Sequence, residues 1–162
     1  MIRLLSWRDS PASLSEFLMR NSHDLDLADE TYFPSTSSEE VARRWLESEA
    51  LSAWLILDDS TPVGIIAIVA PRADQVPSEF VETCTYISQA NRGRGFAVSA
   101  WRLAEKELVG CYRGLAGIVW ASNNVSRARL RASGFQFTDR IWFDGSLGGE
   151  RSGWCELWLK YL

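Results

Sequence analysis

Histidine and cysteine are scarce in this chain, and their scarcity excludes several kinds of site. The 162 residues contain one histidine, His23, and three cysteines, Cys84, Cys111 and Cys155. One histidine among scattered cysteines offers no metal-ligand cluster, so we expect no metal. An odd number of distant cysteines is typical of reduced thiols, which predicts a cytoplasmic protein. A catalytic Cys–His pair would need His23, and neither partner lies in a recognisable motif.

Long apolar runs and an excess of positive charge are also missing. No stretch approaches the length of a bilayer span, and charged residues interrupt the first 20 positions, unlike a secretory signal. The formal net charge is −4, which argues against broad binding to nucleic acid or anionic membranes and leaves room for an amine-bearing partner. With no repeat or linker, we predict one domain over residues 1–162.

Tryptophan, in contrast, is abundant, with eight residues. Ordinary packing explains such a number, and so does an aromatic-lined cleft or a subunit interface, because tryptophan is over-represented at both. A homodimer through the tryptophan-bearing C-terminal strands is one interpretation that the sequence leaves open.

The hydrophobic pattern predicts seven strands and four helices. The strands are expected at residues 2–7, 53–57, 63–70, 80–88, 117–121, 135–143 and 154–161. The helices are expected to begin near residues 10, 37, 96 and 126. The order β-α-α-β-β-β-α-β-α-β-β indicates an α+β (mixed α/β) fold, with a mixed sheet flanked by helices.

A glycine-rich turn at residues 92–97 separates a predicted strand from a predicted helix. Its free backbone N–H groups would lie at the positive end of the helix dipole, which favours a phosphate. Gly93 and Gly95 let the backbone approach an anion, and Arg92 and Arg94 add positive charge. The turn therefore predicts a phosphate-bearing ligand, although a plain strand-to-helix turn is the alternative.

Two commoner phosphate motifs do not fit this turn. A Walker loop needs Lys-Ser or Lys-Thr, and neither pair occurs in the chain. A dinucleotide fingerprint needs a third glycine, but Val98 stands in that position.

Two motifs together resemble the GNAT superfamily of N-acetyltransferases. Residues 92–97 fit its Arg/Gln-x-x-Gly-x-Gly/Ala loop, and residues 123–135 are similar to its Asn-x-x-Ser/Ala helix that ends in Gly-Phe. A helix and a strand separate the motifs in the superfamily, as they do here. Residues 82–87 and the pattern Asn-x-x-Ser-x-x-x-Leu are most similar to the branch of ribosomal-protein alanine and serine N-acetyltransferases, which also contains acetyltransferases of other small amines.

The resemblance implies a mostly antiparallel, twisted sheet of about six to seven strands with about four flanking helices. It implies acetyl-CoA as co-substrate, a primary amine as acceptor, on a protein N-terminus or a small molecule, and no metal. A non-catalytic acyl-CoA-binding or regulatory module is the alternative. The residues expected to bind the donor are Tyr86, Ile87, Ser88, Arg92, Gly93, Arg94, Gly95, Phe96, Ala97, Asn123 and Ser126.

Glu82 is the predicted general base. On a strand, Glu82, Cys84, Tyr86 and Ser88 share one face, and a carboxylate there can take the amine proton directly or through a water. A salt-bridged glutamate on a sheet face is the alternative. A backbone N–H near Ile87 is expected to stabilise the thioester oxygen.

Many GNAT enzymes carry a tyrosine acid seven residues after the motif asparagine. This position is Leu130, which excludes that acid. The resemblance points to Ser126 instead, and a role as N-terminal cap is its alternative. Asn123 is expected to bind the pantetheine amide, with a capping role as its alternative.

Two charged groups remain open at this stage. The arginines 127, 129 and 131 either meet the donor phosphates or form a solvated basic face. The acids Asp24, Asp26, Asp29 and Glu30, with the aromatic residues that follow them, Tyr32 and Phe33, either attract a cationic acceptor or form a solvated surface.

Overall fold

The computed structural model describes residues 1–27, 32–144 and 152–162. The N-terminal half holds β1 (Ile2–Ser6), α1 (Pro11–Arg20), α2 (Ser22–Leu27), α3 (Glu39–Ser48), β2 (Ala50–Asp58), β3 (Thr61–Val69) and β4 (Phe80–Ile87). The C-terminal half holds α4 (Phe96–Leu108), β5 (Gly114–Trp120), α5 (Asn124–Ala132), β6 (Gln136–Asp144) and β7 (Ser152–Tyr161). A short 3-10 turn, Gln89–Asn91, precedes α4. No helix in the described ranges is long and apolar enough to cross a membrane.

The seven strands form one sheet in the order β1-β2-β3-β4-β5-β7-β6. All neighbours are antiparallel except β4 and β5, which are parallel. This pair is joined at only three positions, the last of which pairs Glu82 with Ala116. Beyond it β4 continues to Ile87 while β5 pairs with β7, so a gap opens between β4 and β5. The predicted mixed, mostly antiparallel sheet is confirmed.

Hydrophobic packing covers both faces of the sheet. On one face α1 and α3 bury Leu14, Leu18 and Leu46 against β2 and β3. On the other face α4 buries Trp101 and Ala104 against residues of β2, β3 and β5. The gap between β4 and β5 therefore lies in the interior of the sheet, with helices on both sides.

Side chains of β4 alternate between these two faces. Cys84 and Tyr86 pack on the side of α1 and α3, whereas Val81 and Ile87 pack on the side of α4. Glu82 shares the face of Cys84 and Tyr86 by the same alternation, as predicted. Ser88 lies beyond the end of the strand.

The local sequence explains most helix boundaries. Pro11 opens α1, where its missing N–H costs nothing, and the Ser38 hydroxyl accepts a bond from Val41 N at the start of α3. The short helix α2 was not predicted; Leu25 is buried and anchors it. Asp29 and Glu30 lie outside the described residues, as does most of the predicted connection at 145–153.

Candidate active site

A cavity of about 470 Å³ lies at the gap where β4 and β5 separate. Strand β4, the glycine-rich turn, the first turn of α4 and one face of α5 form its wall. The lining residues are Thr85, Tyr86, Ile87, Asn91, Arg92, Gly93, Arg94, Gly95, Phe96, Ala97, Val98, Asn123, Val125, Ser126 and Arg129. Most of the residues predicted to bind the donor therefore line one cavity.

The glycine-rich turn has the conformation that an anion site needs. Gly93 and Gly95 have φ of 75° and 77°, in the left-handed region that favours glycine. A Cβ added at either residue would meet no atom within 4 Å, so the space beside the backbone is open. Gly95 is the N-cap of α4, and the N–H groups of the first helical turn point toward this space. The turn therefore fits a phosphate group.

The two arginines of the turn are bound within the protein. Arg92 donates to Asp24 of α2 at 2.7 Å and to the carbonyl oxygen of Ile87 at 3.0 Å. Arg94 donates to Asn91 at 3.1 Å, and its guanidinium lies 4.6 Å from the centre of the Phe96 ring. These contacts hold the shape of the turn. The sequence interpretation gave the two arginines a role as positive charge for the ligand and did not include this structural role.

Backbone groups of β4 face the gap. The N–H of Ser88 donates to Val63 on β3 at 3.0 Å, so by alternation the N–H groups of Ile87 and Thr85 point away from β3, toward the missing part of β5. The Ser88 hydroxyl also donates to Val63, at 3.1 Å, and Ser88 is not among the lining residues. The strand thus offers an unpaired edge to an extended ligand.

Helix α5 begins with Asn123 as its cap. Its Oδ1 accepts a bond of 2.9 Å from the N–H of Ser126, so the interpretation of Ser126 as the cap was wrong. Ser126 lies in the first helical turn and lines the cavity. Leu130 is fully buried and packs against Gly117, where an added Cβ would lie 2.6 Å from the leucine. The position of the family's tyrosine therefore belongs to the core.

Arg129 is one helical turn beyond Ser126 on the cavity face. Its Nη1 atom is buried and has no hydrogen-bond partner. Burial lowers the pKa of Arg129 to about 10, and the nearby Cys84 partly opposes this effect. Burial raises the pKa of the Cys84 thiol. The predicted solvated basic face was wrong for this residue.

The other two arginines of α5 turn toward β7. Arg127 Nε donates to the buried Glu156 at 2.9 Å, and the Arg131 guanidinium lies 5.8 Å from the Trp158 ring centre. Neither residue lines the cavity, so Arg129 is the arginine of α5 that faces it, while Arg127 and Arg131 face β7.

Glu82 lies at the last paired position of β4 and β5 and is 1% exposed. Its carboxylate accepts bonds from the Arg72 backbone N–H at 3.1 Å, from Arg72 Nε at 3.0 Å and from Arg72 Nη2. Burial lowers the pKa of Arg72, but Glu82 outweighs that effect and raises it. The Arg72 guanidinium also lies 4.2 Å from the Tyr32 ring centre. Glu82 thus forms a closed ion pair beside the cavity.

Tyr86 and Asp24 connect β4 to α2. The Tyr86 hydroxyl donates to the Asp24 carboxylate, which also accepts from Arg92. Burial raises the pKa of Tyr86, and the bond to Asp24 adds to the increase. Asp24 is therefore part of a partly exposed network, whereas the side chain of Asp26 is outside the description.

Sequence reasoning missed Thr85, Asn91, Val98, Val125 and Arg129 as lining residues. Four of them adjoin predicted residues along the chain. Arg129 had a different signal, because it follows Ser126 by three positions on the same helix. Among the described residues, no group of three or more His, Cys, Asp or Glu is placed to hold a metal ion.

Solved structures share this fold over nearly their whole length. The RimL ribosomal L7/L12 alpha-N-protein acetyltransferase in complex with coenzyme A has a TM-score of 0.73 and 14% identity, over 99% of this chain and 93% of that one. The microcin C7 self-immunity acetyltransferase MccE, in complex with acetyl-CoA and AMP, has a TM-score of 0.72 and 16% identity, over 99% of this chain and 92% of that one. A GNAT-family acetyltransferase from Streptococcus pneumoniae has a TM-score of 0.72 and 20% identity, over 100% of this chain and 98% of that one.

No curated protein is similar enough in sequence to match this chain. A sequence profile of the acetyltransferase (GNAT) family, in contrast, matches residues 21–135. The match includes both motifs and the gap between β4 and β5. The chain therefore belongs to the acetyltransferase (GNAT) family and is an acetyl-CoA-dependent N-acetyltransferase, as its two motifs predicted.

Proposed function

We propose that the protein transfers the acetyl group of acetyl-CoA directly to a primary amine at the gap between β4 and β5. The observation that carries this proposal is one continuous cavity, which joins the glycine-rich turn to the unpaired edge of β4 and to α5. Direct transfer requires donor and acceptor to be aligned in one site, and a gap through a sheet admits them from opposite faces.

The residues present fit the donor. Gly93, Gly95 and the first turn of α4 would hold the diphosphate, because their N–H groups face open space. The N–H groups of Thr85 and Ile87 would bind the extended arm in the manner of an added strand, with that of Ile87 stabilising the thioester oxygen. Asn123 would contribute a further polar contact. When bound, acetyl-CoA supplies the activated acetyl group.

The acceptor amine must lose a proton before it has a lone pair to react. We propose that Glu82 accepts this proton through a water molecule. The water is needed because both carboxylate oxygens accept bonds from Arg72 and because Glu82 does not line the cavity. Ser126, which lines the cavity in the first turn of α5, is retained as a hydrogen-bond donor near the reacting sulfur.

The acceptor is proposed to be either a protein N-terminus or a small-molecule amine. Relatives in structure include one protein that acts on the ribosomal L7/L12 N-terminus and one that gives immunity to microcin C7. The test is acceptor-dependent release of free CoA thiol, with peptides that begin with alanine or serine compared with a panel of small amines. Calorimetry with CoA runs in parallel, so that donor binding is measured apart from turnover.

A non-catalytic acyl-CoA-binding module, the alternative that the sequence left open, does not agree with membership of an acetyltransferase family. The Glu82–Arg72 ion pair and the buried Leu130 nevertheless leave neither of these two positions as an acid or base that faces the cavity. Tight CoA binding without thiol release across the whole panel would contradict the proposed transfer. Thiol release with any acceptor, abolished by Gly95→Trp, would support it.

We also propose a homodimer in a reducing cytoplasm. Strand β6 is at the edge of the sheet, and Trp142 of this strand forms an edge-to-face pair with Trp154 at 5.4 Å, with both rings more than half exposed. Within the described part of the chain, Cys84 and Cys111 form no disulfide. Light scattering on the wild type and on Trp142→Lys tests the dimer, since a lysine at the edge would favour the monomer.

A further inference from the structure

Most of the arginines around the cavity have a carboxylate partner. The pairs are Arg72 with Glu82, Arg92 with Asp24, Arg94 with Asp58 and Arg127 with Glu156. Arg129 is the exception: within the described ranges it forms no ion pair, and its Nη1 is buried without a hydrogen-bond partner. Removing a cation from water without a partner is unfavourable, so an unpaired guanidinium in a cavity indicates that an anion is its partner in function.

The position of Arg129 limits which anion this is. The glycine-rich turn, which fits the diphosphate, follows β4 at the open end of the gap. Arg129 lines the cavity and precedes Leu130, whose side chain packs against Gly117, the residue after Ala116, at which the pairing of β4 and β5 ends. The guanidinium therefore lies toward the closed end of the gap, at the opposite end of the cavity from the phosphate-binding backbone. An extended ligand held at the turn directs its far, reacting end there.

The other charged side chains near the closed end of the gap are each paired with a group of opposite charge. The Glu82 carboxylate is closed by Arg72, and the Asp24 carboxylate accepts from both Tyr86 and Arg92. Cys84 is a neutral thiol because burial raises its pKa. On α5 itself, Arg127 is paired with Glu156. The net field at the closed end of the gap is therefore that of one cation, Arg129.

We propose that Arg129 stabilises the thiolate of CoA as it leaves the acetyl group, an inference that rests on the proposed function. When the amine nitrogen bonds to the carbonyl carbon, the carbon–sulfur bond breaks and its electron pair stays on sulfur. The guanidinium pairs with this charge, so no proton donor is needed at Leu130. The first proton of the ammonium group passes to Glu82 through water before the attack. The second leaves the nitrogen for solvent water as the amide forms, and the thiolate takes a proton from solvent after release.

The test measures the acidity of bound CoA thiol without any acceptor. Thiolate absorbance is titrated between about pH 6 and 10 for CoA bound to the wild type, Arg129→Met, Arg129→Lys and Arg131→Met, with free CoA alongside. The same titration with desulfo-CoA subtracts the protein's own cysteines and tyrosines. Calorimetry at each pH fixes the bound fraction. Arg131→Met is the matched control, because Arg131 is on the same helix and lies over Trp158, away from the cavity.

The expected result is a thiol acidity about tenfold or more higher in the wild-type and Arg131→Met complexes than in free CoA, that is, a pKa lower by about one unit. Arg129→Met should abolish the increase, and Arg129→Lys should keep part of it. Equal thiol acidity in wild type and Arg129→Met would overturn the inference while leaving the proposed function intact. Failure of the wild type to bind CoA would overturn both.

Discussion

Arg92 and Asp24 connect the glycine-rich turn to α2 through a bond of 2.7 Å. The turn follows β4 on the donor side, and α2 packs beside α1 on the other side of the sheet. An acidic side chain thus lies beside a turn that is built to receive phosphates. This carboxylate holds Arg92 in place, but its charge also repels an anionic donor.

Asp24→Asn is therefore expected to strengthen CoA binding slightly, about two- to fivefold, since a partly exposed ion pair contributes only about 0.2–1 kcal/mol to the turn's order. Asparagine still accepts a bond from Tyr86. The gain should shrink at high salt, where the lost repulsion was already screened. Calorimetry at two salt concentrations measures it, with the exposed Asp139→Asn as control. Weaker CoA binding by Asp24→Asn would contradict this account.

Gly95→Trp is expected to lower CoA affinity by at least about tenfold, because the ring would fill the open space beside the backbone. Gly110→Trp is the matched control. Gly110 has the same left-handed conformation, with φ of 84° and no atom within 4 Å of an added Cβ, but it lies outside this cavity. Both variants bear the same backbone strain, so only loss of affinity at Gly95 alone supports the phosphate site.

Glu82→Gln is expected to lower kcat by about 10²–10⁴-fold, while CoA affinity stays within about twofold of the wild-type value. Arg72→Gln distinguishes a role of Glu82 as base from a role in holding the structure, because it breaks the same ion pair but keeps the carboxylate. If the two variants lose the same activity with the same pH profile, Glu82 serves only to hold Arg72.

Arg129→Met is expected to stabilise the ligand-free protein by about 1–3 kcal/mol near neutral pH. The pKa of Arg129 is lowered to about 10 by burial, so the unfolded chain binds more protons above that pH. The cost of burying the charge is therefore full below pH 10 and fades as the pH rises further. Urea unfolding at pH 7.5 measures the gain, which would be a large fraction of a typical total stability of about 5–15 kcal/mol.

The matched variant Arg131→Met should not be more stable, because it loses the contact with Trp158, worth up to about 1 kcal/mol. Equal stability of wild type and Arg129→Met would mean that solvent reaches the Arg129 guanidinium more freely than its burial indicates.

The sequence predicted the sheet, and it named most of the residues that line the cavity, because both depend on local patterns. Strand alternation placed Cys84 and Tyr86 on one face, and the two motifs put Gly95 and Asn123 at the ends of helices. The family assignment rested on the spacing of these motifs and is confirmed.

Long-range pairing was beyond the reach of the sequence. Arg72 bonds to Glu82 across ten residues of loop and strand, and Arg92 bonds to Asp24 across 68 positions. Such partners depend on how elements pack, which periodicity does not encode. Arg129 was misread for the same reason, because a polar side chain near the end of a short helix is usually solvated and only the gap in the sheet gives it a buried place.

The three-residue junction between β4 and β5 leaves the sheet as two panels, one of four strands and one of three. Elsewhere longer ladders of paired residues resist separation of neighbouring strands. A donor bound along the unpaired edge of β4 would contact both parts of the sheet and stiffen the junction between β4 and β5. Amide hydrogen exchange in both parts of the sheet should then slow when CoA binds and speed up again when the product leaves. That result would identify the β4–β5 junction as the place where the sheet flexes during the catalytic cycle.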